Sequence, residues 1–320
     1  MVPSIVLNVV ASYIMTKTLI SIIGPTAIGK TNLSIKLAQH FNTEIISADS
    51  RQFYKEMQIG TAAPTSSELH AAPHHFIHHK SIEENYTVGD FEKDAITTLE
   101  HLFQKHDIVI MVGGSGLYVD AVTKGLDDFP KVDSKIRVQL NTILETEGLE
   151  SLQEQLKKLD PESYRTIAID NPHRVIRALE VSIGSKKPYS SFLTSKEKPR
   201  EFETISIGLT ADRNIIYDRI NQRVDLMVKE GLLEEVKQLL PKKHLNALNT
   251  VGYKELFSYL EGEWTLDFAI SEIKKNTRRF AKRQLTWFRK NETTLWFDFE
   301  TDVSSIISKI TNELNEKSQS

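Results

Sequence analysis

The fold of this chain is decided by residues 24–31, which read GPTAIGKT. This segment fits the pattern G-x-x-x-x-G-K-[ST], in which two glycines allow backbone N–H groups to wrap a phosphate. The β-branched run Leu19–Ile23 before it predicts a buried parallel strand, and the residues from about Gly29 to His40 predict a helix after it. The segment therefore indicates a polyphosphate site without saying which polyphosphate binds, and a chance match in an ordinary loop is the alternative.

The same alternation of strand and helix continues along the chain. A second short strand is predicted at Glu44–Ser47, a helix at about Gly89 to Lys105, and a third strand at Ile108–Val112. Strands that alternate with helices predict an α/β fold with a parallel sheet and right-handed crossovers. Towards the C-terminus the pattern predicts a strand at Thr204–Leu209, helices at roughly 212–240 and 265–290, a strand near Leu295–Phe299, and a last helix.

Residues 131–198 follow a different pattern, because they are polar, helical in period and without a convincing strand. We interpret them as a helical insertion domain between the two parts of a P-loop α/β core, residues 15–130 and 199–320. Helix breaks are expected at Gly148, Asp160-Pro161, Asn171-Pro172 and Gly184.

Composition narrows the classes of protein to which the chain can belong. Its 320 residues carry a formal net charge of -3, so only a local basic surface could bind a nucleic acid. The absence of cysteine excludes disulfides and thiolate metal sites and is compatible with a reducing, cytoplasmic location. Residues 1–14 are apolar but too short to cross a bilayer. Because Met15 begins a typical cytoplasmic P-loop sequence, we expect the preceding residues to be a disordered or dispensable extension.

The ends of the predicted strands supply candidate catalytic residues. Lys30 adds a positive charge to the phosphate cradle, and the Thr31 hydroxyl can hold Mg²⁺. Asp49 closes the second strand and should face the P-loop, because ligands of open α/β sheets bind beyond the carboxyl ends of strands; a turn or N-cap aspartate is the alternative. The third strand ends in Gly113-Gly114 rather than the acid of an ordinary Walker B strand, which weakens a simple NTPase interpretation. Ser115 offers a hydroxyl there, and a tight turn is the alternative.

Two basic segments are candidates for binding phosphates. Arg174 and Arg177 are three residues apart and can point the same way from a helix, so they could grip a diphosphate or RNA phosphates; solvated surface arginines are the alternative. A second segment, interleaved with aromatic residues, could follow a phosphate backbone, and a solvated helix face is the alternative. Its basic members are Lys274, Lys275, Arg278, Arg279, Lys282, Arg283, Arg289 and Lys290.

The histidines between His70 and His79 resemble a metal-binding tract. The chain has no cysteine, and adjacent histidine pairs are not a standard ligand spacing. We therefore do not expect a native metal site there.

A family resemblance is carried by the segments GPTAIGKT, ISADSRQFY, IGTAAP, PHHFI, GDF, VGGSGLYVDAV, NPHRVIRALEV, VGYKEL and TRRFAKRQLTWFR. They span residues 21–290, and VGGSGLY and AKRQLTWFR are highly specific. In content and order these segments resemble the tRNA dimethylallyltransferase family. The lack of cysteine rules out the C-terminal zinc finger of many eukaryotic members, so the chain is more similar to the bacterial type.

The resemblance implies a P-loop core related to nucleotide kinases, with a helical insertion that contacts the anticodon stem-loop of tRNA. It implies transfer of a dimethylallyl group from dimethylallyl diphosphate to N6 of the adenosine immediately 3′ of the anticodon in tRNAs reading codons that begin with U. Diphosphate is the second product, and Mg²⁺ is required. We expect a cytoplasmic monomer that does not bind a membrane.

The resemblance also implies roles for individual residues. Asp49 corresponds to the general base, and Ser115 stands where many members have threonine, so its catalytic hydroxyl is kept. The residues that correspond to the diphosphate site are Gly24, Thr26, Ala27, Ile28, Gly29, Lys30 and Thr31, to which we add Arg177. The expected tRNA contacts are Asp49, Ser50, Arg51, Gln52, Ser115, Arg137 (by spacing), His173, Arg174, Arg177, Arg278, Arg279, Lys282 and Arg283.

Two functions of other classes are also compatible with the residues alone. A nucleotide or small-metabolite kinase would use a P-loop and a strand-end aspartate, and phosphoryl transfer would identify it. A non-catalytic P-loop protein would bind tRNA without modifying it. Incubation with unmodified tRNA and dimethylallyl diphosphate separates the three.

Overall fold

The computed structural model of the chain describes residues 16–194 and 197–317. Our expectation for residues 1–14 lies outside this part of the chain. Within the described ranges, no helix is both long enough and apolar enough to cross a membrane.

The strands are β1 (Thr18–Ile23), β2 (Ile45–Ser47), β3 (His74–His75), β4 (Ile108–Val112), β5 (Glu203–Thr210) and β6 (Leu295–Asp298). In the described residues they form one six-stranded sheet in the order β3-β2-β4-β1-β5-β6. Every pair of neighbours is parallel. The predicted α/β fold with a parallel sheet is confirmed.

The central strand β1 is buried on both faces. Leu19 and Ile23 pack in the hydrophobic cluster on one side of the sheet, whereas Ile20 and Ile22 pack in the cluster on the other side. Because alternate side chains of a strand point to opposite faces, a strand covered on both sides needs an unbroken apolar run. This is why a continuous run, and not an alternating one, marks β1 in the sequence.

Strand β3 was not predicted. Its two residues are histidines, which carry no strand signal, and they pair with Ile45 and Ile46 of β2. The strand exists because the chain returns to the sheet edge there, which is a tertiary effect.

The described chain divides into two compact units by its internal contacts. The main unit runs up to Thr123 and resumes at Arg200, and the insertion unit is Lys124–Pro199. The sequence placed the first boundary at residue 131, seven residues later. Residues of the stretch before 131 belong to the insertion because Phe129 stacks on Tyr189 with ring centroids 5.0 Å apart, and Asp127 accepts a 2.7 Å hydrogen bond from the backbone N–H of Thr194.

The helices of the main unit are α1 (Lys30–Phe41), α2 (Ser66–Ala71), α3 (Val88–Leu102), α4 (Gly116–Thr123), α9 (Arg213–Lys229), α10 (Leu232–Leu239), α11 (Tyr253–Leu260), α12 (Leu266–Phe288) and α13 (Val303–Lys317). Those of the insertion unit are α5 (Ser134–Glu147), α6 (Leu149–Leu159), α7 (Pro161–Thr166) and α8 (Pro172–Ser185). Short 3₁₀ helices occupy Tyr189–Phe192, Leu240–Lys242 and Asn246–Leu248.

Most helix ends agree with the local signals. Gly231, with φ of 104°, separates α9 from α10 within the predicted helical region 212–240. The break expected at Gly184 occurs one residue later, since α8 ends at Ser185 and Lys186 takes a left-handed conformation. Helix α11 was not predicted, although Glu255 in its first turn accepts the backbone N–H of Gly252 at 2.9 Å and so caps its start.

Arg200 links the two places where the chain leaves the main unit and returns to it. Its guanidinium donates to the backbone carbonyls of Ala121 and Val122 at 2.6 and 2.9 Å, and it pairs with Glu92 at 2.7 Å. These carbonyls belong to the last turn of α4, where helices have unpaired acceptors. Arg200 therefore caps α4 and fixes the start of the segment leading into β5.

The histidine segment is structural in its contacts. His75 pairs with Glu44 at 2.7 Å, whereas His79 lies among the rings of Phe53, Phe76 and Tyr86, with centroids 5.2–5.4 Å away. Both ring nitrogens of His79 are buried without a hydrogen-bond partner. Burial, assisted by the charge of Lys80, lowers the pKa of His79 to about 4. Within the described residues, no group of three or more His, Asp or Glu side chains could hold a metal ion.

We predict that His79→Phe makes the protein more resistant to acid. A neutral His79 with a folded pKa of about 4 contributes stability above the unfolded value of ~6.5, and this is lost as the pH falls from ~6.5 towards 4. Urea unfolding midpoints between pH 7.5 and 4 should therefore fall less in His79→Phe than in wild type. The exposed residue His101 supplies the control His101→Phe, and equal losses in both variants would contradict the assignment.

Candidate active site

The carboxyl ends of β1, β2 and β4 bring the predicted catalytic residues together. The P-loop follows β1, Asp49 follows β2, and Ser115 follows β4. Because these strands are parallel neighbours, their loops share one edge of the sheet. Asp49 lines the same cavity as Lys30 and another cavity with Ser115.

The P-loop has the backbone geometry that its glycines permit. Gly24 and Gly29 have φ of 142° and 109°, and a Cβ at Gly24 would lie 2.5 Å from the backbone oxygen of Leu209. Ala27 also has a positive φ, 63°, which is uncommon for a residue with a side chain. Sparsely populated conformations of this kind cluster at ligand sites, where surrounding structure enforces them.

Three charged groups meet at the P-loop. Lys30 donates to the backbone oxygen of Pro25 at 2.8 Å. Although the residue as a whole is partly exposed, burial of its ammonium group lowers the pKa of Lys30 to about 8, an effect that the charge of Asp49 opposes and that of Arg223 assists. Burial also lowers the pKa of Arg223, again opposed by Asp49. Two partly desolvated cations beside one carboxylate favour an anionic ligand.

Arg223 is a site residue that the sequence did not indicate. It lies on α9, its guanidinium approaches the hydroxyl of Thr26 at 3.3 Å, and it lines both cavities of the site. One turn earlier, Arg219 donates to the backbone oxygen of Ala27 at 2.8 Å. Both arginines are polar residues of an amphipathic helix, a local pattern that does not distinguish a phosphate ligand from a solvated side chain.

Asp49 combines the two roles that the sequence left open. One carboxylate oxygen accepts the backbone N–H of Arg51 at 3.1 Å, as in an aspartate turn. The residue also lines both cavities. The next residue, Ser50, donates its backbone N–H to the hydroxyl oxygen of Ser115 at 3.1 Å, which joins the loops after β2 and β4.

Arg51 and Gln52, predicted to contact tRNA, have structural partners. Arg51 donates to the backbone oxygens of Asn246 and Ala247 at 3.1 and 2.8 Å. The side-chain amide of Gln52 donates to Thr61 and Ala62 at 3.3 and 3.2 Å. Their tRNA contacts stay predictions.

A loop that lines both cavities is held by Glu235, which the sequence also did not indicate. Its carboxylate accepts the backbone N–H groups of Gln58, Ile59 and Gly60 at 2.7–3.0 Å and the hydroxyl of Tyr253 at 2.6 Å. Three consecutive donors aimed at one carboxylate make a strong, geometrically specific anchor. Glu235 thereby fixes the position of Gly60, which lines the larger of the two cavities.

Two adjoining cavities form the site. The P-loop cavity has a volume of about 410 Å³ and is lined by residues 26–32 of the P-loop and α1, among others. The α12 cavity has a volume of about 690 Å³ and is lined by Ser115, by loop residues 249–252 and by α12 residues, among others. The residues that line both cavities are Thr26, Asp49, Thr61, Ala62, Arg223, Met227, Phe280 and Gln284.

Most of the basic segment lies on α12, as predicted, whereas Arg289 and Lys290 follow the end of that helix, and its charges are unequal. Lys274 pairs with Asp225 at 2.6 Å, and Lys275 pairs with Glu272. Arg279 and Lys282 are exposed, and no ion pair with an acid is described for either. The N-terminal part of the segment is therefore partly neutralised, and the free positive charge lies further along the helix. Arg283 lines the α12 cavity, and Arg278 donates to Asn221 at 2.8 Å.

In the insertion unit, two predicted ligand arginines share one acid. Arg137 makes a two-fold contact with Glu180 at 2.7 and 3.0 Å, and Arg177 donates to the same carboxylate at 2.9 Å. Glu180 is buried, which would raise its pKa, yet hydrogen bonds from both arginines hold that pKa below its ordinary value. His173 and Arg174 are exposed at the start of α8. The lining residues of the P-loop cavity do not include Arg177, and its diphosphate role stays a prediction.

The residues of the site suit a magnesium ion that keeps water ligands better than a metal ion bound only by protein side chains. Thr31 lines the P-loop cavity, and no described hydrogen bond engages its hydroxyl. The described residues offer no cluster of three acidic or histidine ligands. Mg²⁺ commonly binds through one or two protein oxygens together with substrate phosphates and water, so Thr31 and a diphosphate would suffice.

A P-loop at a parallel sheet edge, with a half-buried aspartate and a basic helix alongside, defines a P-loop protein whose site suits a phosphorylated ligand. A family model described as IPP transferase matches residues 52–291. The chain therefore belongs to the IPP transferase family.

Relatives and solved structures agree with this family. The chain is 62% identical over 301 residues to the tRNA dimethylallyltransferase of Christiangramia forsetii, covering 94% of this chain and 100% of the relative. A tRNA isopentenylpyrophosphate transferase structure from Bacillus halodurans is 39% identical, with a TM-score of 0.70 and coverage of 95% and 98%. The structure of a eukaryotic dimethylallyltransferase acting on tRNA is 28% identical, with a TM-score of 0.78 and coverage of 94% and 80%. These findings confirm the prediction of an enzyme that transfers a dimethylallyl group to tRNA, and not the kinase alternative.

We predict that the affinity for an alkyl diphosphate falls as the pH rises through about 8, because Lys30 loses its proton above its folded pKa. Lys30→Ala should bind ~10- to 100-fold more weakly at pH 7 and show a flatter pH dependence, since one charge-assisted contact is lost. Calorimetric titration with an unreactive thio analogue of dimethylallyl diphosphate, at constant Mg²⁺, measures both.

The matched control is Lys36→Ala, which removes an exposed lysine of the same helix. Filter binding of tRNA should be unchanged in both variants. A wild-type affinity that is constant from pH 7 to 9.5, or a loss of tRNA binding in Lys30→Ala as large as the loss of diphosphate binding, would contradict the assignment.

Proposed function

We propose that this chain takes a dimethylallyl group from dimethylallyl diphosphate and attaches it to N6 of the adenosine immediately 3′ of the anticodon, in tRNAs reading codons that begin with U. Transfer of a dimethylallyl group to tRNA is the activity named for relatives that are 62% identical over most of the chain. The donor, the target atom and the residue roles are the parts that we add.

The single observation that carries the proposal is the meeting of two cavities at Asp49. On one side lie Lys30 and the P-loop, which suit a diphosphate. On the other side lies a larger cavity bordered by the basic helix α12, which suits a nucleotide. A carboxylate where the two spaces adjoin can act on a group that reaches from one substrate to the other.

The reaction then follows from these positions. The exocyclic amine of adenine forms a C–N bond with the prenyl carbon that carries the diphosphate, while the bond from that carbon to the diphosphate oxygen breaks with its electron pair. Asp49 accepts the proton that the amine loses. The target base has to leave the stack of the anticodon loop first, at a cost of ~ a few kcal/mol.

The leaving group is stabilised by preorganised charge. Lys30, Arg223 and the backbone N–H groups of the P-loop supply positive potential where the diphosphate develops its extra charge. Thr31 would hold Mg²⁺, which when bound neutralises diphosphate oxygens. Ser115 orients the turn that carries Asp49, because its hydroxyl binds Ser50.

We propose that one chain suffices for the reaction and that it acts in the cytoplasm as a monomer. The general test is to incubate the protein with unmodified tRNA and dimethylallyl diphosphate and to analyse the nucleosides by mass spectrometry. N6-dimethylallyladenosine supports the proposal, whereas phosphoryl transfer from ATP or unmodified bound tRNA contradicts it.

We predict that Asp49→Asn lowers the single-turnover rate of prenyl transfer ~10²- to 10⁴-fold, because the variant keeps its size but cannot accept a proton. Affinities for tRNA and for dimethylallyl diphosphate should stay near normal. Asp218→Asn, an exposed change on α9, is the control. Wild-type turnover would eliminate the base role, and a rate restored by raised Mg²⁺ would reassign Asp49 to metal binding.

We predict that replacing Arg279 and Lys282 together by alanine weakens tRNA binding and lowers its salt dependence. Each lost phosphate contact should reduce the slope of log affinity against log salt by about 0.7 to 0.9. Lys274→Ala should change the slope less, because its charge is paired with Asp225. Filter binding across a salt series measures this, and identical slopes in all three proteins would show that α12 only supports the fold.

A further inference from the structure

Gln284 is the buried polar side chain at the junction of the two cavities. It lies on α12, is 5% exposed, and lines both cavities. Burying an amide without partners is costly, so its hydrogen bonds show what holds it there.

Gln284 uses one donor and one acceptor to join two catalytic loops. Its side-chain oxygen accepts the backbone N–H of Thr26, in the P-loop, at 2.9 Å. Its side-chain nitrogen donates to the backbone oxygen of Gly114, in the loop after β4, at 2.9 Å. A hydrophobic side chain of the same size could fill this space but could make neither bond.

The side-chain amide of Gln284 occupies the space next to Gly114. A Cβ added at Gly114 would lie 2.3 Å from the side-chain nitrogen of Gln284 and 3.9 Å from the ammonium nitrogen of Lys30. Alanine at 114 would therefore displace the amide of Gln284, whereas the 3.9 Å approach to Lys30 is an ordinary van der Waals contact. The second glycine of the VGGSG segment is thus explained by Gln284, without requiring a ligand contact.

The two bonds set the spacing between the diphosphate cradle and the loop that carries Ser115. Ser115 in turn binds the turn of Asp49 through Ser50. A chain of contacts thus runs from the cradle to the base. Since reacting groups need placement to within a fraction of an ångström, and a 1 Å error can lower a rate ~10²-fold, this spacing matters to catalysis.

We propose that Gln284 is a positioning residue for prenyl transfer, which holds the P-loop in register with the Gly114–Ser115 loop and so with Asp49. It acts through the backbone of these loops and not by touching the reacting atoms. This inference rests on the proposed function.

The first test compares Gln284→Met with wild type in steady-state and single-turnover prenyl transfer to tRNA. Methionine preserves the volume but removes both hydrogen bonds. We expect kcat/KM for dimethylallyl diphosphate to fall ~10- to 100-fold, with the tRNA dissociation constant within twofold of wild type and an unchanged circular dichroism spectrum. Thr286→Ala, an exposed change on the same helix, should behave as wild type.

The second test is a double-mutant cycle with Gly114→Ala and Gln284→Ala. If alanine at 114 acts by displacing the amide, each single variant should lose activity, and the double variant should be no worse than Gln284→Ala. Losses that multiply would mean that Gly114 and Gln284 act independently, which would overturn the proposal. Thermal unfolding of each variant shows whether it is folded. If Gln284→Ala does not fold, Gln284→Met takes its place in the cycle.

Failure of this inference is distinguishable from failure of the proposed function. A wild-type protein that forms no N6-dimethylallyladenosine refutes the proposed function. A wild-type protein that does so, with Gln284→Met within twofold of it in kcat/KM, overturns the positioning role alone. Equal losses of activity and tRNA affinity in Gln284→Met also overturn it, because they indicate a general structural role.

Discussion

A parallel sheet has one edge at which its strands end, and the whole site depends on that constraint. The loops after β1, β2 and β4 lie together at this edge, because β4 pairs in parallel with both β1 and β2. Three short sequence segments that are far apart in the chain therefore supply a cradle, a carboxylate and a hydroxyl to the same place. Helices α9 and α12 close this edge with Arg223 and Gln284.

The electrostatics of the site follow from this crowding. Burial lowers the pKa of both Lys30 and Arg223, and the charge of Asp49 opposes this in both cases, whereas the charge of Arg223 lowers the pKa of Lys30 further. An anion that enters replaces lost hydration and relieves the mutual repulsion of the cations. The free protein therefore has an electrostatic preference for an anionic ligand, as the diphosphate of the proposed function would be.

Local patterns predicted the parts of the site that lie on strand ends, and they could not predict the parts contributed across space. GPTAIGKT and Asp49 can be recognised in the sequence because a glycine-rich turn and an acid after a strand depend only on the nearby backbone. Arg223 and Glu235 occur in helices whose sequences look ordinary, and Gln284 lies in the family segment AKRQLTWFR, which by itself does not single out this residue. Their importance depends on which loop they reach, and that is settled by tertiary packing. The two-residue strand β3 and the early start of the insertion unit escaped prediction for the same reason.

The hydrogen bonds from Arg200 to the last turn of α4 affect how much the length of the inserted segment can vary. Arg200 holds the backbone of Ala121 and Val122 by hydrogen bonds. The inserted residues between Val122 and Arg200 are therefore equivalent, for the main unit, to one loop whose two ends are already joined. The entropy of closing such a loop grows only with the logarithm of its length, so doubling the inserted segment costs ~0.6 kcal/mol. The core can thus accommodate insertions of very different size at one point, which separates the evolution of the inserted helices from the stability of the catalytic sheet.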